Sequence, residues 1–427
     1  MIGKTRCDWL AALALALAAC GGEPAPLGPG PEAPDAGTVA APDTGLTALD
    51  VGSAPADAGL EPADAGLAAD AGFAADAERD PDAGAIADAA PVLPDSGLLT
   101  EPDAGLGGSD ATVASRCFAD IYDPNIPGPN YDQFSPTVGS HCFGTNQQDI
   151  TGVERVVFLG DSVTVGTPPT VSDDYYRNRL TEQLVQKFHL RAPSGLWRTV
   201  NLLDGVSYQQ LSDDFGNCSK WGARTDDLLG PNNQLERCFP ADTLSKRTLV
   251  IMTMGGNDIS HLTKEGGQSH MPQRTRAELQ QETENFVRLL RESIVWLKTP
   301  GRFPNGVFVV FANPPEFTDG SGDIESCGLS SVAGFNDPWP NPSDLKDLVI
   351  WALEQYMAIA VDTGTDLLWF LETFCGHGYV ATGPNADPNN RCYRGPNTER
   401  WFDLTCIHPN PTGHEQLANM FMAIVNE

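Results

Sequence analysis

From about residue 116 onward, short apolar runs alternate with longer runs of helical spacing. The strand-like runs are rich in β-branched and aromatic residues: Arg155–Leu159, Thr199–Leu203, Thr248–Met254, Val307–Phe311 and Thr365–Leu371. The runs with apolar residues three or four positions apart predict helices: Asp174–Leu190, Ala277–Lys298, Ser343–Ala360 and Gly413–Val425. The alternation predicts an α/β fold in which helices cover both faces of a parallel sheet, as a three-layer α/β/α sandwich.

The N-terminal segment shows the pattern of an export signal. Lys4 and Arg6 precede the apolar stretch Trp9–Ala19, which is too short to span a bilayer, so we expect a signal peptide over residues 1–19. The stretch ends in Leu17-Ala-Ala-Cys20, which resembles a bacterial lipobox; the alternative is an ordinary secretory signal with an incidental cysteine. The resemblance implies that Cys20 is lipidated, which anchors the protein to the cell envelope. Gly21, in place of Asp, favours the outer membrane.

Residues 20–115 are a low-complexity segment of Ala, Asp, Gly and Pro in which Asp-Ala-Gly recurs. Between residues 21 and 115 it holds 18 acidic residues and one base, Arg79. It has too little apolar area to fold, so we expect a disordered tether extended by its charge. Residues 116–427 form the predicted globular domain, with 38 acidic and 23 basic residues. This acidic balance argues against nucleic acid as a partner.

The cysteines support export. Of ten, Cys7 lies in the signal and Cys20 is the lipidation candidate, and the even set of eight that remains predicts four disulfides in an exported domain. We expect the sequence neighbours Cys117–Cys142 and Cys218–Cys238 to pair. Cys375-Gly-His377 also suggests half of a metal site, but no matching pair has zinc-ligand spacing, so a disulfide is favoured. No nucleotide, flavin or metal motif is present, and no cofactor is expected.

Four polar blocks follow one another in the globular domain: Gly160-Asp-Ser162, Gly222, Gly255-Gly-Asn-Asp258 and His408-Pro-Asn. The first and third directly follow predicted strands, where open α/β sheets bind ligands. Together they provide a nucleophile, donors for an oxyanion and a base. The blocks resemble those of the SGNH hydrolase superfamily, also called GDSL esterases and lipases. That resemblance implies a flavodoxin-like α/β/α sandwich and ester hydrolysis through an acyl-serine intermediate.

The resemblance also implies a role for each matching residue. Ser162 matches the nucleophile, and His408 matches the base. The backbone N–H groups of Ser162 and Gly222 and the side-chain amide of Asn257 match the oxyanion hole. His414 is the alternative base, but we expect it to pack or cap the last helix. With His408 as an ordinary histidine base, activity is expected to fall below roughly pH 6–7.

One position departs from the family pattern, which has an acidic residue three positions before the histidine. Thr405 stands there, and the nearest acid is Asp403. Either Asp403 reaches the ring or a backbone carbonyl near Thr405 orients it; Asp403 is favoured as the third catalytic residue. The orienting group sets the tautomer of the imidazole and stabilises its cation.

The segments 204–221, 259–275, 312–342 and 375–403 are longer than connections need, so we expect them to shape a substrate pocket. The aromatic residues that either line it or pack beneath the loops are Trp221, Trp339, Tyr393 and Trp401. Three functions remain open: a lipase-like carboxylesterase acting on lipids or small esters, a carbohydrate esterase that deacetylates polysaccharide, and a non-catalytic surface module. The first is favoured, as a monomer.

Overall fold

The computed structural model describes residues 113–119, 121, 127–139, 141–229, 233–331 and 333–427. The predicted signal peptide, the Cys20 lipidation site and residues 20–112 of the predicted tether lie outside the described residues. Within the described ranges, no helix combines the length and apolar character that a membrane crossing requires.

Strands and helices alternate along the described residues, as the sequence pattern predicts. The strands are β1 (Arg155–Gly160), β2 (Val200–Asn201), β3 (Val206–Ser207), β4 (Leu211–Ser212), β5 (Phe215–Asn217), β6 (Thr248–Thr253), β7 (Val307–Ala312) and β8 (Asp366–Leu368). The helices are α1 (Val113–Cys117), α2 (Ser162–Val165), α3 (Tyr176–Phe188), α4 (Gly195–Arg198), α5 (Asp226–Leu229), α6 (Gln234–Cys238), α7 (Gly256–Glu265), α8 (Arg276–Lys298), α9 (Pro342–Thr363), α10 (Phe370–Phe374) and α11 (Pro411–Asn426).

The main sheet has the strand order β4-β5-β1-β6-β7-β8. Strands β5, β1, β6, β7 and β8 are parallel, and β4 pairs antiparallel with β5 at one edge. Numbered among themselves along the chain, the parallel strands lie in the order 2-1-3-4-5, which is the flavodoxin-like order. The order reverses beside β1, so β1 and its neighbour β6 flank the crevice where such sheets bind ligands.

Side chains of the central strands alternate between two apolar clusters, one on each face of the sheet. Val157 and Leu159 of β1 belong to the cluster that contains Phe286 and Leu290 of α8 and Met357 of α9. The neighbouring β1 positions belong to the other cluster, with side chains from α3 and α11. Burial on both faces explains why these strands appear in the sequence as continuous apolar runs. The predicted three-layer α/β/α sandwich is confirmed.

The second strand of the sheet is not the one that the sequence predicts. Thr199–Leu203 was expected to supply it, but only Val200–Asn201 is a strand there, and it pairs with β3 in a separate antiparallel hairpin. The second parallel strand is β5, inside segment 204–221 that was expected to be a loop. Segment 259–275 is likewise not all loop, because α7 extends to Glu265.

Four disulfides stabilise the described domain. The predicted pairs Cys117–Cys142 and Cys218–Cys238 are confirmed. The other two pairs are Cys327–Cys406 and Cys375–Cys392, which makes Cys375 a disulfide partner rather than half of a metal site. Cys327–Cys406 joins the segment after β7 to the segment that carries His408, and it therefore bears directly on the site geometry.

Candidate active site

Ser162 lies at the carboxyl end of β1, on the first residue of α2. The turn before it depends on Gly160, which has φ +129° and whose added Cβ would collide with the Thr253 carbonyl of β6. Asp161 braces the turn: it accepts bonds from Val163 N at 3.0 Å and Thr253 Oγ1 at 2.9 Å. Burial raises the pKa of Asp161 to about 7. The strand, the turn glycine and the helix start therefore fix where the serine hydroxyl points.

His408 is the histidine that contacts this serine. Its Nε2 lies 2.8 Å from Ser162 Oγ, although the two residues are 246 positions apart in the chain. His408 is 1% exposed, and its burial lowers the pKa to about 4, so the ring is neutral near pH 7. His414 is also buried, but its Nδ1 accepts a bond from Tyr176 N at 3.2 Å, which is a packing role. A neutral imidazole against a serine hydroxyl is the arrangement that deprotonates the hydroxyl.

The ring of His408 is oriented by a side chain that the sequence analysis did not assign. Thr405 Oγ1 lies 2.7 Å from His408 Nδ1. Thr405 Oγ1 and N in turn donate to Asp403 Oδ1, at 2.6 Å and 2.8 Å. Among the described residues, neither Asp403 nor a backbone carbonyl bonds to Nδ1. The two orienting groups predicted from the sequence are therefore both wrong as direct contacts, and Asp403 reaches the ring only through the threonine hydroxyl.

A tight loop places these three side chains together. Phe402 and Pro409 form an antiparallel bridge at its base, and Asp403 N donates to the His408 carbonyl at 2.9 Å. Inside the loop, Cys406 adopts φ +71° and bonds to Cys327. We call residues 402–409 the histidine loop. Its backbone bonds and its disulfide hold Asp403, Thr405 and His408 in register.

Asp403 is 7% exposed and borders an open cavity. Its Oδ2 has no hydrogen-bond partner in the part of the chain that the structure describes, and burial raises the pKa of Asp403 to about 7. The cavity has a volume of about 340 Å³. Its lining residues are Pro169, Thr170, Tyr379, Arg400, Phe402, Asp403, Leu404, Asn410 and Pro411. The carboxyl group therefore meets the loop through one oxygen and leaves the other unpaired beside the cavity.

The predicted oxyanion donors lie on three neighbouring segments. Gly222 has φ +69°, a conformation that suits glycine, and its N–H and that of Ser162 donate to no other described residue. Asn257 Nδ2 donates to the Ala223 carbonyl at 2.9 Å, which places this amide beside the Gly222 segment and leaves its second N–H uncommitted. The turn after β6 and the loop after β5 are thus tied together at the end of the sheet.

Asp258, next to Asn257, bonds to the loop after β5 that carries Gly222. Its Oδ2 accepts a bond from Thr225 N at 3.1 Å, and its Oδ1 accepts one from Thr225 Oγ1 at 2.9 Å. Burial raises the pKa of Asp258 to about 6. These bonds give Asp258 a structural role.

Three of the four aromatic residues that the sequence predicts either to line a pocket or to pack beneath the loops make packing contacts in the structure. Trp221 Nε1 donates to the Gly166 carbonyl and Trp339 Nε1 to the Thr263 carbonyl, each at 2.8 Å. Trp401 stacks on His377 with ring centroids 3.3 Å apart. None of the predicted aromatics lines the cavity beside Asp403; Tyr379, from the expected loop 375–403, does.

One cluster has ligand types that hold metal ions. Candidate ligand atoms of His261, Glu265 and Glu282 lie within 4.8 Å of one another. Arg274 forms ion pairs with both glutamates, with Nη2 3.3 Å from Glu282. The arginine thus offsets one of the two carboxylate charges and occupies both glutamates, and we assign no metal to this cluster.

Comparison with known proteins places this site in a family. The sequence model of the GDSL-like lipase/acylhydrolase family matches residues 156–421. No curated protein gives a significant match. Among solved structures, an extracellular lipase from Streptomyces rimosus is 18% identical, with a TM-score of 0.36, over 64% of this chain and 99% of its own. A phospholipase A1 from Streptomyces albidoflavus is 16% identical, with a TM-score of 0.36, over 64% and 98%.

A gut microbial diltiazem-metabolizing enzyme is 13% identical, with a TM-score of 0.38, over 66% of this chain and 49% of its own. The match to the family model covers more than half of the chain, from the second residue of β1 into α11, and includes Ser162, Gly222, Asn257 and His408. The chain belongs to the GDSL-like lipase/acylhydrolase family, and it is an ester hydrolase.

Proposed function

We propose that the protein is a serine ester hydrolase in which Ser162 is the nucleophile and His408 the general base. The observation that supports this most directly is the 2.8 Å contact between His408 Nε2 and Ser162 Oγ at the carboxyl end of the sheet. Burial lowers the pKa of His408 to about 4, so the ring is neutral at neutral pH and its Nε2 lone pair is available to the Ser162 proton.

The proposed reaction has two halves. His408 Nε2 takes the Ser162 proton as Oγ attacks the ester carbonyl carbon, and the carbonyl oxygen becomes an oxyanion. The N–H groups of Ser162 and Gly222 and the Asn257 amide donate to that oxyanion. The intermediate collapses to an acyl-serine as the imidazolium gives its proton to the departing alcohol. Water then repeats the sequence on the acyl-serine and releases the acid.

For the substrate we propose the ester of an acyl lipid or a small alcohol, which makes the protein a lipase-like carboxylesterase. Deacetylation of a polysaccharide is the alternative, and the dependence of the rate on acyl-chain length separates the two. Both use the same dyad, whereas a non-catalytic surface module has no need for a neutral histidine bonded to a buried serine. No cofactor enters the proposed reaction, and we propose a monomer.

The test is hydrolysis of chromogenic esters from acetyl to long acyl by the full chain and its Ser162→Ala variant. Ser331→Ala is a matched control because Ser331 is exposed and distant in sequence from the proposed machinery. We expect turnover in the wild type and control but not in Ser162→Ala, and organophosphonate labelling only where Ser162 is present. Equal turnover by Ser162→Ala would refute the serine mechanism. A rate that peaks at long acyl chains favours the lipase, and one confined to acetyl esters favours the deacetylase.

We also propose that the protein is exported and lipid-anchored through Cys20, with the domain on the periplasmic or cell-surface face of the outer membrane. Four disulfides support an oxidising compartment. Labelling cells with a radioactive fatty acid tests the anchor. The wild-type chain is expected to take up label, and Cys20→Ser is expected to take up none; equal labelling of the two would refute the assignment.

A further inference from the structure

A threonine hydroxyl lies between the histidine ring and the buried carboxyl group. We propose that Thr405 is a positioning residue that couples the charge of Asp403 to His408 through two consecutive hydrogen bonds. The inference rests on the proposed serine mechanism, and it replaces a direct acid–histidine contact by a relay. Its basis is the contact chain from Ser162 Oγ to His408, from His408 to Thr405 Oγ1, and from Thr405 to Asp403 Oδ1.

The number of protons on the hydroxyl fixes the direction of each bond. A threonine hydroxyl has one proton and two lone pairs. Above about pH 7, where Asp403 is ionised, its carboxylate only accepts, so the proton of Thr405 Oγ1 points to Oδ1 across 2.6 Å. Thr405 Oγ1 is then an acceptor toward His408 Nδ1, 2.7 Å away, and Nδ1 must carry the ring proton. The Nε2 lone pair is thereby left for the hydroxyl of Ser162.

The same geometry stabilises the charge that develops during the reaction. When Nε2 takes the Ser162 proton the ring becomes a cation, and the Asp403 carboxylate two bonds away stabilises it through the oriented Thr405 hydroxyl. No proton moves along the relay: Nδ1 and Thr405 Oγ1 keep their own protons throughout. Thr405 is 2% exposed, so solvent competes little for these bonds.

The fold holds the relay before any substrate arrives. Thr405 N also donates to Asp403 Oδ1, at 2.8 Å, which fixes the carboxyl group relative to the threonine backbone. Tyr379 Oη donates to the Asp403 carbonyl at 2.6 Å, which anchors the start of the histidine loop to a neighbouring segment. Because these contacts are made in the free protein, the hydroxyl needs no reorganisation as the ring becomes charged.

A simpler role for these residues is to shape the loop. In that case Asp403 and Thr405 stabilise a turn, and their removal acts on activity only through loop geometry. A double-mutant cycle measures how strongly the two residues are coupled, because contacting residues of one hydrogen-bond network give a non-additive loss when both are removed. Transfer of the carboxylate to position 405 then separates the relay from a loop-shaping role, because it restores charge at the ring without restoring the bonds between Thr405 and Asp403. The variants are Thr405→Val, which removes the hydroxyl at nearly constant shape, Asp403→Asn, and the two together.

We expect each single variant to lower kcat about 100-fold with KM nearly unchanged, near the lower end of what acid–base groups contribute. The double variant is expected to be no slower than the slower single one. Thr405→Ser keeps a hydroxyl and is expected to retain most of the activity. Thr398→Val is the matched control, because among the residues that the structure describes its hydroxyl bonds only to the Gly395 carbonyl. Losses that multiply in the double variant, or full activity in Thr405→Val, would overturn the relay.

A transposition of the carboxylate tests the relay from the other direction. The variant Thr405→Asp combined with Asp403→Asn moves the acid into direct reach of Nδ1. We expect its kcat to be at least tenfold higher than that of Asp403→Asn, because the new carboxylate orients the His408 ring directly. A folded transposed variant, by circular dichroism, that is no faster than Asp403→Asn contradicts the proposal, because charge at the ring would then not limit the rate.

Organophosphonate labelling distinguishes a failed relay from a failed function. If Ser162 is labelled and Ser162→Ala is inactive while Thr405→Val keeps full turnover, the relay is wrong and the serine mechanism stands. If Ser162→Ala keeps turnover, the proposed function is wrong and the relay falls with it. Slower labelling of Ser162 in Thr405→Val than in Thr398→Val supports the relay.

Discussion

Removal of the Cys327–Cys406 disulfide tests how far the histidine loop depends on its covalent tie. The bond joins residues 79 positions apart, and Cys406 lies between Thr405 and His408. In the chain-entropy account, opening a loop of that length destabilises the folded state by about 4.5 kcal/mol. The Cys375–Cys392 bond spans 17 positions, for which the same account gives about 3 kcal/mol. The matched pair of double alanine variants should therefore differ by about 1.5 kcal/mol in free energy of unfolding.

Urea denaturation with linear extrapolation measures both variants against the wild type. The kcat of the Cys327→Ala/Cys406→Ala variant is also expected to fall further than that of the Cys375→Ala/Cys392→Ala variant, because position 406 lies inside the histidine loop. Equal losses of stability, together with an unchanged kcat, would refute the reasoning. The backbone bonds of residues 402–409 would then be sufficient to hold the proposed base, and the disulfide would have no part in positioning it.

Four further predictions concern single positions. With the pKa of His408 lowered to about 4, its neutral form persists above that pH, so kcat/KM should show one fall as the pH drops through about 4; in Asp403→Asn, a half-maximal rate near pH 6.5 contradicts this burial. Ionisation of Asp403 adds a second rise near pH 7, which should be missing from the profile of Asp403→Asn. Asn257→Ala should lower kcat about 10²–10³-fold with a small change in KM, and unchanged turnover would remove Asn257 from the oxyanion hole. Gly160→Ala should unfold at much lower urea than Gly301→Ala, because a Cβ at Gly160 meets backbone whereas one at Gly301 meets open space; equal midpoints would contradict the steric argument.

The parts of the fold that the sequence predicts are those with strong burial on both sides. β1, β6 and β7 each present six consecutive residues, mostly apolar, and their positions follow from that run. β5 has only the residues Phe-Gly-Asn, too short a run to show a period, and its place in the sheet comes from pairing with β1. Partners distant in the chain, rather than local propensity, decide such a strand.

Some residues of the candidate site could be predicted from the sequence, and others could not. Ser162 and Asn257 follow strands at the end of the sheet, and His408 stands in a recognisable segment, so sequence position alone marks them as candidates. Thr405 stands where the family pattern has an acid, and a hydroxyl at that position is the sequence signal that could have indicated a contact with His408. Its proposed role depends on the direction of that hydroxyl, which the contacts with Asp403 Oδ1 and His408 Nδ1 set and which residue spacing does not encode.

The histidine loop has a consequence for engineering. Asp403, Thr405 and His408 lie within six consecutive residues that are tied to the rest of the domain by the Cys327–Cys406 disulfide and the Tyr379 bond, whereas Ser162 joins them from 246 positions away. The acid–base part of the proposed machinery therefore lies in one short segment, the histidine loop, whereas the position of the nucleophile depends on assembly of the sheet. We expect a loop of different acid placement, joined at the bridge between Phe402 and Pro409 and keeping Cys406, to leave β1 and its serine unchanged. A library of variants in the histidine loop alone would therefore test alternative acid–base groups against the same nucleophile, Ser162.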